Sequence, residues 1–213
     1  MESKLKTERK IDMKNRMLMV SIAVLVALFA QTVLAGRLLT LAKALESLMP
    51  DTESIEEESR VMTDSELNEI KAYLGGALVH HQKGSKSEDV SEKKEYVFHF
   101  GIVNGERTEV GVVEEQPGKW GPVEYFIVLD CKSAKVKNIA VMSYREKRGR
   151  PIARHSFLSQ FYGKGIDDPI QVRKDIRAIS GATISSDATC FAVKKVIAMY
   201  EVIFLKNKLA MAE

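Results

Sequence analysis

The stretch from Met17 to Gly36, MLMVSIAVLVALFAQTVLAG, runs for twenty residues without a charged side chain. A helix of that length spans about 30 Å, the thickness of a bilayer's hydrocarbon core. Upstream, Lys4, Lys6, Arg9, Lys10, Lys14 and Arg16 outnumber Glu2, Glu8 and Asp12. Such an excess of cations holds an N-terminus in the cytoplasm and sends the following chain across the membrane. Two other readings compete. Val33-Leu34-Ala35 resembles a small-residue cleavage site, which would make the run a removed signal peptide. A buried core helix is the third, although core helices rarely run this long without a polar face. The expectation is a basic cytoplasmic segment over 1–16 and a retained single-pass anchor in the lipid bilayer over 17–36. The main domain then lies outside the cytoplasm.

Over its 213 residues the chain has 45% hydrophobic and 29% charged residues, the composition of a globular protein rather than a disordered or fibrous one. A net charge of +3 with no basic stripe interleaved with aromatics argues against nucleic acid as a partner. Leu38 to Met49 keeps a helical rhythm. Asp51 to Arg60 is acidic and poor in apolar residues, and reads as a solvated spacer. Thr63-x-x-Glu66 is a capping signal for a short helix that Gly75-Gly76 should end. Residues 81–94 are polar and read as a loop. Tyr96–Val103, the turn pair Asn104-Gly105 and Glu109–Glu114 have the pattern of a hairpin. Val123–Leu129 and Val136–Tyr144 make a second strand pair after the rigid loop from Pro117 to Pro122. A short helix is expected over Ser156–Tyr162, and a long one from about Ser186 to Leu209 with Lys194, Lys195 and Lys206 on its surface. Paired strands with helices at the ends point to an α+β domain: an antiparallel sheet with flanking helices, preceded by one transmembrane helix.

Cys131 and Cys190 form no CxxC pair, and their separation does not say whether they meet. His80-His81 is read as two exposed loop histidines rather than metal ligands.

The segment most suited to chemistry is Ile179-Ser180-Gly181-Ala182-Thr183-Ile184-Ser185-Ser186, just before the long C-terminal helix. Small residues let a ligand approach the backbone, and Gly181 can take positive φ. Free N–H groups and the positive end of the helix dipole attract phosphate there. Ser180, Thr183, Ser185 and Ser186 add hydroxyls, and Thr183 is a candidate covalent acceptor. The residues alone fit a plain helix cap equally well.

Ser180 to Ser186 resembles the signature of the FMN-binding domain found in the C subunit of sodium-pumping NADH:quinone oxidoreductases and the G subunit of Rnf complexes. The same domain occurs in membrane regulators of nitrous-oxide respiration. Tyr144-Arg145-Glu146-Lys147-Arg148-Gly149 and Phe157 to Lys164 followed by Asp168-Pro169 resemble two further family segments in order and spacing. The resemblance spans roughly Tyr96 to the C-terminus. It implies FMN as cofactor, bound by Ser180, Gly181, Ala182, Thr183, Ile184 and Ser185 with Glu146 near the flavin. It also implies that a flavin transferase joins the FMN phosphate to Thr183 as a phosphoester, and that the partners are membrane redox subunits. On this reading 37–76 is a helical and acidic linker region and 77–213 the FMN-binding domain. One position departs from the pattern. The family carries an acid six residues before the threonine, where this chain has Arg177, with Asp175 two residues further upstream. An arginine there can hold the FMN phosphate directly.

Trp120 is read either as a stacking partner for the flavin ring or as packing on the sheet edge. The basic run Arg145, Lys147, Arg148, Arg150 and Arg154 is either a solvated face or a hold on FMN or an acidic partner. No general base or nucleophile stands out, so the expected role is an electron-carrying subunit rather than a stand-alone enzyme. The rival readings are an exported flavin or redox sensor and a flavin-free structural subunit.

Overall fold

The computed structural model describes residues 38–87, 90–145 and 150–206. The segments 1–16 and 17–36 and the candidate Glu146 lie outside them, and among the described residues no helix is long and apolar enough to cross a membrane.

The chain forms an antiparallel five-stranded sheet with helices on both faces. Helix α1 (Leu41–Leu48) begins where Thr40 Oγ1 accepts the Lys43 N–H at 3.4 Å. Strand β1 (Ser54–Val61) follows, then α2 (Asp64–Leu74). Helix α2 shows the expected reciprocal cap between Thr63 and Glu66, and Gly75 ends it in the left-handed conformation at φ 78°. Strands β2 (Glu95–Val103), β3 (Glu106–Pro117), β4 (Pro122–Asp130) and β5 (Val136–Tyr144) complete a meander in the order β1-β2-β3-β4-β5. The β2–β3 turn is the two-residue type that suits strand twist: Asn104 and Gly105 have φ 51° and 77°, and Val103 pairs with Glu106. Between β4 and β5 the Asp130 carboxylate takes the backbone N–H groups of Lys132 and Ser133 and the Ser133 hydroxyl. Short helical turns follow: Arg150–Ala153, α3 (His155–Leu158) and Ser159–Phe161. Helix α4 (Thr183–Tyr200) and a π-helical turn (Glu201–Lys206) close the described chain.

Alternation along the strands divides the core in two. Phe98, Phe100, Val112, Tyr125, Ile127 and Leu129 face α2 and α4, where they meet Ile70, Val193, Val196 and Ile197. Phe126, Val128 and Met142 face the other way, against Ala44, Leu48 and Met49 at α1. Gly111 makes room for Phe126, since a Cβ there would sit 2.1 Å from the Phe126 ring.

Three sequence expectations are corrected here. The acidic stretch expected as a spacer is an edge strand, paired with β2 from Ser54↔Ile102 to Val61↔Glu95. Backbone pairing carries it, and Arg107 gathers its charge by bonding both Glu56 and Glu58. Helix α4 starts at Thr183 rather than near Ser186. Lys195 is not on the surface. It is 1% exposed, and its ammonium lies 2.8 Å from the equally buried Glu114 carboxylate. Tyr96 donates to the same carboxylate at 2.8 Å and Gln116 at 2.7 Å. Burial first, then the Glu114 charge, pushes the Tyr96 phenol far up. The two cysteines are free and buried.

Removing one partner of a buried pair strands a charge, whereas removing both does not. Lys195→Met is therefore expected to destabilise the fold by about 3–5 kcal/mol. Lys195→Met with Glu114→Leu should regain most of that loss, as read by urea denaturation of the two variants.

Candidate functional site

The approach to α4 is a loop tied down at each step. Asp175 accepts the backbone N–H of Ile170 at 3.1 Å and of Gln171 at 2.8 Å, and Lys164 reaches it at 2.8 Å. Burial raises the Asp175 carboxyl, but the Lys164 bond and the two N–H donors outweigh burial and hold it below the usual carboxylate range. This acid is thus committed to the loop. Arg177 comes next, with its backbone clamped by one side chain: Gln160 Oε1 accepts the Arg177 N–H at 2.9 Å and Gln160 Nε2 donates to the Arg177 carbonyl at 3.3 Å. The Arg177 side chain is left exposed.

The turn into the helix is built on Gly181 and Ser186. Gly181 has φ 77°, and a Cβ there would meet nothing within 4 Å, so backbone conformation rather than space favours glycine. Ser186 Oγ donates to the Ala182 carbonyl at 2.9 Å and accepts the Ile179 N–H at 3.1 Å, so the hydroxyl is used inside the turn. Ala182 occupies the N-cap position and offers no side-chain bond. The helix itself gives the N–H groups of its first turn no acceptor. Thr183 is exposed at the first position of this eighteen-residue helix, while Ser185 is fully buried with its hydroxyl unpartnered. The loop after α2 meets this point, where Gln82 Nε2 donates to the Ile184 carbonyl at 2.9 Å.

An open groove of about 530 Å³ lies beside the turn, lined by Arg154, Ser156, Phe157, Gln160, Arg177 and Ser180, with Ile179. Two guanidinium groups, two hydroxyls and an aromatic wall next to a helix start suit a phosphate monoester attached to an apolar body. Of the residues the sequence singled out, Ser180 to Ser185 form the turn and first helical residues. Arg177 and Ser180 line one groove, and Glu146 lies outside the described residues. Trp120 sits on the β3–β4 turn, with the Lys86 ammonium 4.6 Å from its ring centre and that of Lys119 5.6 Å away. Gln82 and Gln160 gave no signal in the sequence, because a glutamine that braces a backbone looks like any surface glutamine.

A second cleft, of about 460 Å³, lies further along α4 and is lined in part by Tyr73, His80, Ile170, Asp187, Cys190 and Phe191. His80 is half-buried rather than a free loop residue. Its ring stacks on Phe191 at 4.9 Å and its N–H reaches Gln116 Oε1 at 2.9 Å. Burial lowers the His80 imidazole and raises the Asp187 carboxyl, while their mutual attraction opposes both shifts. Burial, with Asp187 and Asp175 nearby, pushes the Cys190 thiol up to about 12, so it is no ready nucleophile. Among the described residues no group of three or more His, Cys, Asp or Glu is placed to hold a metal.

The fold has a counterpart among solved structures. The crystal structure of NqrC from Shewanella oneidensis is similar with a TM-score of 0.50 and 15% sequence identity, over 74% of this chain and 85% of that one. No curated protein matches the chain. The model of the FMN-binding domain matches from Gly118 to Ala198, a span that includes the β3–β4 turn, the groove and the Ser180–Ser185 turn. Over residues 118–198 this chain is similar to the FMN-binding domain family.

Proposed function

We propose that this chain is a membrane-anchored, extracytoplasmic subunit that carries FMN for electron transfer within a membrane redox complex, with Thr183 holding the FMN phosphate as a phosphoester. The observation that carries this reading is the exposed Thr183 at the first position of α4, two residues after a glycine with positive φ. A transferase needs an acceptor it can reach, and Thr183 is one. Ser186 is buried and spent in the turn, and Ser185 is buried. FMN, once bound, supplies the redox chemistry; the protein supplies position and field.

The chain's own groups divide that work. The first-turn N–H groups and the helix dipole stabilise phosphate charge beside Thr183. Arg154 and Arg177 add two guanidinium groups in the same groove. Gln160 and the Lys164–Asp175 pair keep the Arg177 segment from shifting when the ligand arrives. The uncharged run 17–36 supports a tether, which keeps the site at high local concentration near membrane redox subunits. The likeness to NqrC extends to the fold and fits this assignment.

A second reading rests on Arg177. It stands where the family pattern has an acid, and its side chain lines the groove. The same groove then holds FMN by charge and hydrogen bonds alone, without an ester.

Intact mass of the chain co-expressed with a flavin transferase separates the two. Wild type is expected to gain the mass of one FMN phosphoester and Thr183→Val none. An adduct that survives in Thr183→Val overturns Thr183 as the acceptor. A wild type without an adduct that still shows the flavin absorption band establishes the non-covalent reading, and one without the band leaves a flavin-free subunit. For the arginine, Arg177→Ala in the Thr183→Val background is expected to weaken FMN binding about tenfold to a hundredfold, the worth of one charge-assisted hydrogen bond. Fluorescence titration with FMN reads that change.

A further inference from the structure

One end of the sheet gathers features that no flavin chemistry requires. Strand β5 ends there at Tyr144, opposite Val123, and Pro117 faces Pro122 across the β3–β4 turn that carries Trp120. Arg145 packs against that turn, since a Cβ on Gly121 would lie 3.1 Å from its own Cβ. The 82–87 loop joins from the side: the Lys86 N–H reaches the Lys119 carbonyl at 2.8 Å, and Gln82 reaches Ile184 one residue after Thr183. The described chain also enters here. The N–H groups of Leu38 and Leu39 share the Met142 carbonyl at 2.7 and 3.0 Å, two residues before β5 ends. Helix α1 then runs toward the opposite end, where Leu48 O accepts from Asn138.

At this end the exposed Lys86 and Arg145 take part in no ion pair among the described residues. Trp120 stands among them, 38% exposed with two ammonium groups over its ring, and Leu38 is 53% exposed. An exposed indole flanked by lysines is the arrangement found at the membrane–water interface, where the ring lies at headgroup level.

We propose that this end of the domain docks on the bilayer surface, with Trp120 seated among the headgroups and Lys86 and Arg145 on the phosphates of anionic lipids. The occupant follows from where the chain enters. The uncharged run ends at Gly36, two residues before Leu38, so the bilayer is the surface within reach of this end. Anionic headgroups attract clustered Lys and Arg within a Debye length. Docking turns the Thr183 turn toward the membrane, on the side where membrane redox subunits would be met. The proposal rests on the anchored reading, and the experiment reads the two apart.

Trp120 is the only tryptophan in the chain, so its fluorescence reports this end alone. The full chain is reconstituted into phosphatidylcholine vesicles with and without phosphatidylglycerol, and Trp120 emission is compared with lipids brominated near the headgroup end of their acyl chains. Bromolipid quenching and a blue shift are expected with phosphatidylglycerol, both fading as salt is raised to about 1 M. Lys86→Gln with Arg145→Gln removes two cations, each expected to weaken contact about fivefold, and should abolish most of the quenching. Quenching that is absent with phosphatidylglycerol, or that is indifferent to salt, overturns the docking. If the double variant does not fold, the salt series on wild type decides alone. Flotation with neutral vesicles at high salt reads the anchor separately: a chain that floats there with Trp120 unquenched keeps its anchor and loses the docking.

Discussion

The ion pair between Lys195 and Glu114 joins the two halves of this fold. Helix α4 carries the candidate site at its first turn, and Lys195 is the charge that fixes the helix to strand β3 from within the core. Neither group tolerates burial without the other. The pair therefore sets the position of α4 along the sheet far more sharply than apolar contact, which tolerates sliding. Glu114 extends the arrangement sideways. Gln116 donates to it and to the Leu78 carbonyl, and takes the His80 N–H on its other end. The loop that begins there ends on α4 again through Gln82 and Ile184. A closed circuit of polar contacts thus runs from the middle of α4 through the sheet and back to its start.

The site sits where this rigid circuit meets an exposed edge. Thr183, Ser180 and Arg177 are all exposed, yet each is attached to backbone that has little freedom. Ser186 closes the turn, Gln160 clamps Arg177, and Asp175 spends its oxygens on the preceding loop. That division suits a site which must receive a large cofactor: accessible groups on a frame already in place lose little order when the ligand binds.

Much of this was legible in the sequence, for local reasons. Asn104-Gly105 can hardly be anything but a tight hairpin turn, and Thr63 with Glu66 marks a helix start by reciprocal hydrogen bonds. Residues 180–186 read from composition as a helix start, which the structure shows at Thr183, but small and hydroxylated residues alone did not separate a phosphate site from a plain cap. What stayed hidden depends on partners distant in sequence. Glu56, Glu57 and Glu58 read as solvated because the β2 backbone and Arg107, which make them a strand, lie some fifty residues away. Lys195 read as surface because a lysine shows burial only once its carboxylate is known, and Glu114 is 81 positions upstream. Gln82 and Gln160 were silent for the same reason.

The second, smaller core on the back of the sheet has a mechanical meaning. Helix α1 is held by Ala44, Leu48 and Met49 against Phe126, Val128 and Met142, and its entry by two bonds to a single carbonyl. None of the α2–α4 core depends on it. If the chain is held upstream of Leu38 and pulled, this weakly fastened segment peels first, while β1 resists through its eight-residue ladder. The sixteen residues from Leu38 to Glu53 would then pay out roughly 50 Å of extended chain. Were the chain tethered upstream of Leu38, helix α1 would serve as a coiled reserve of leash, lengthening the reach under load without unfolding the sheet and α4.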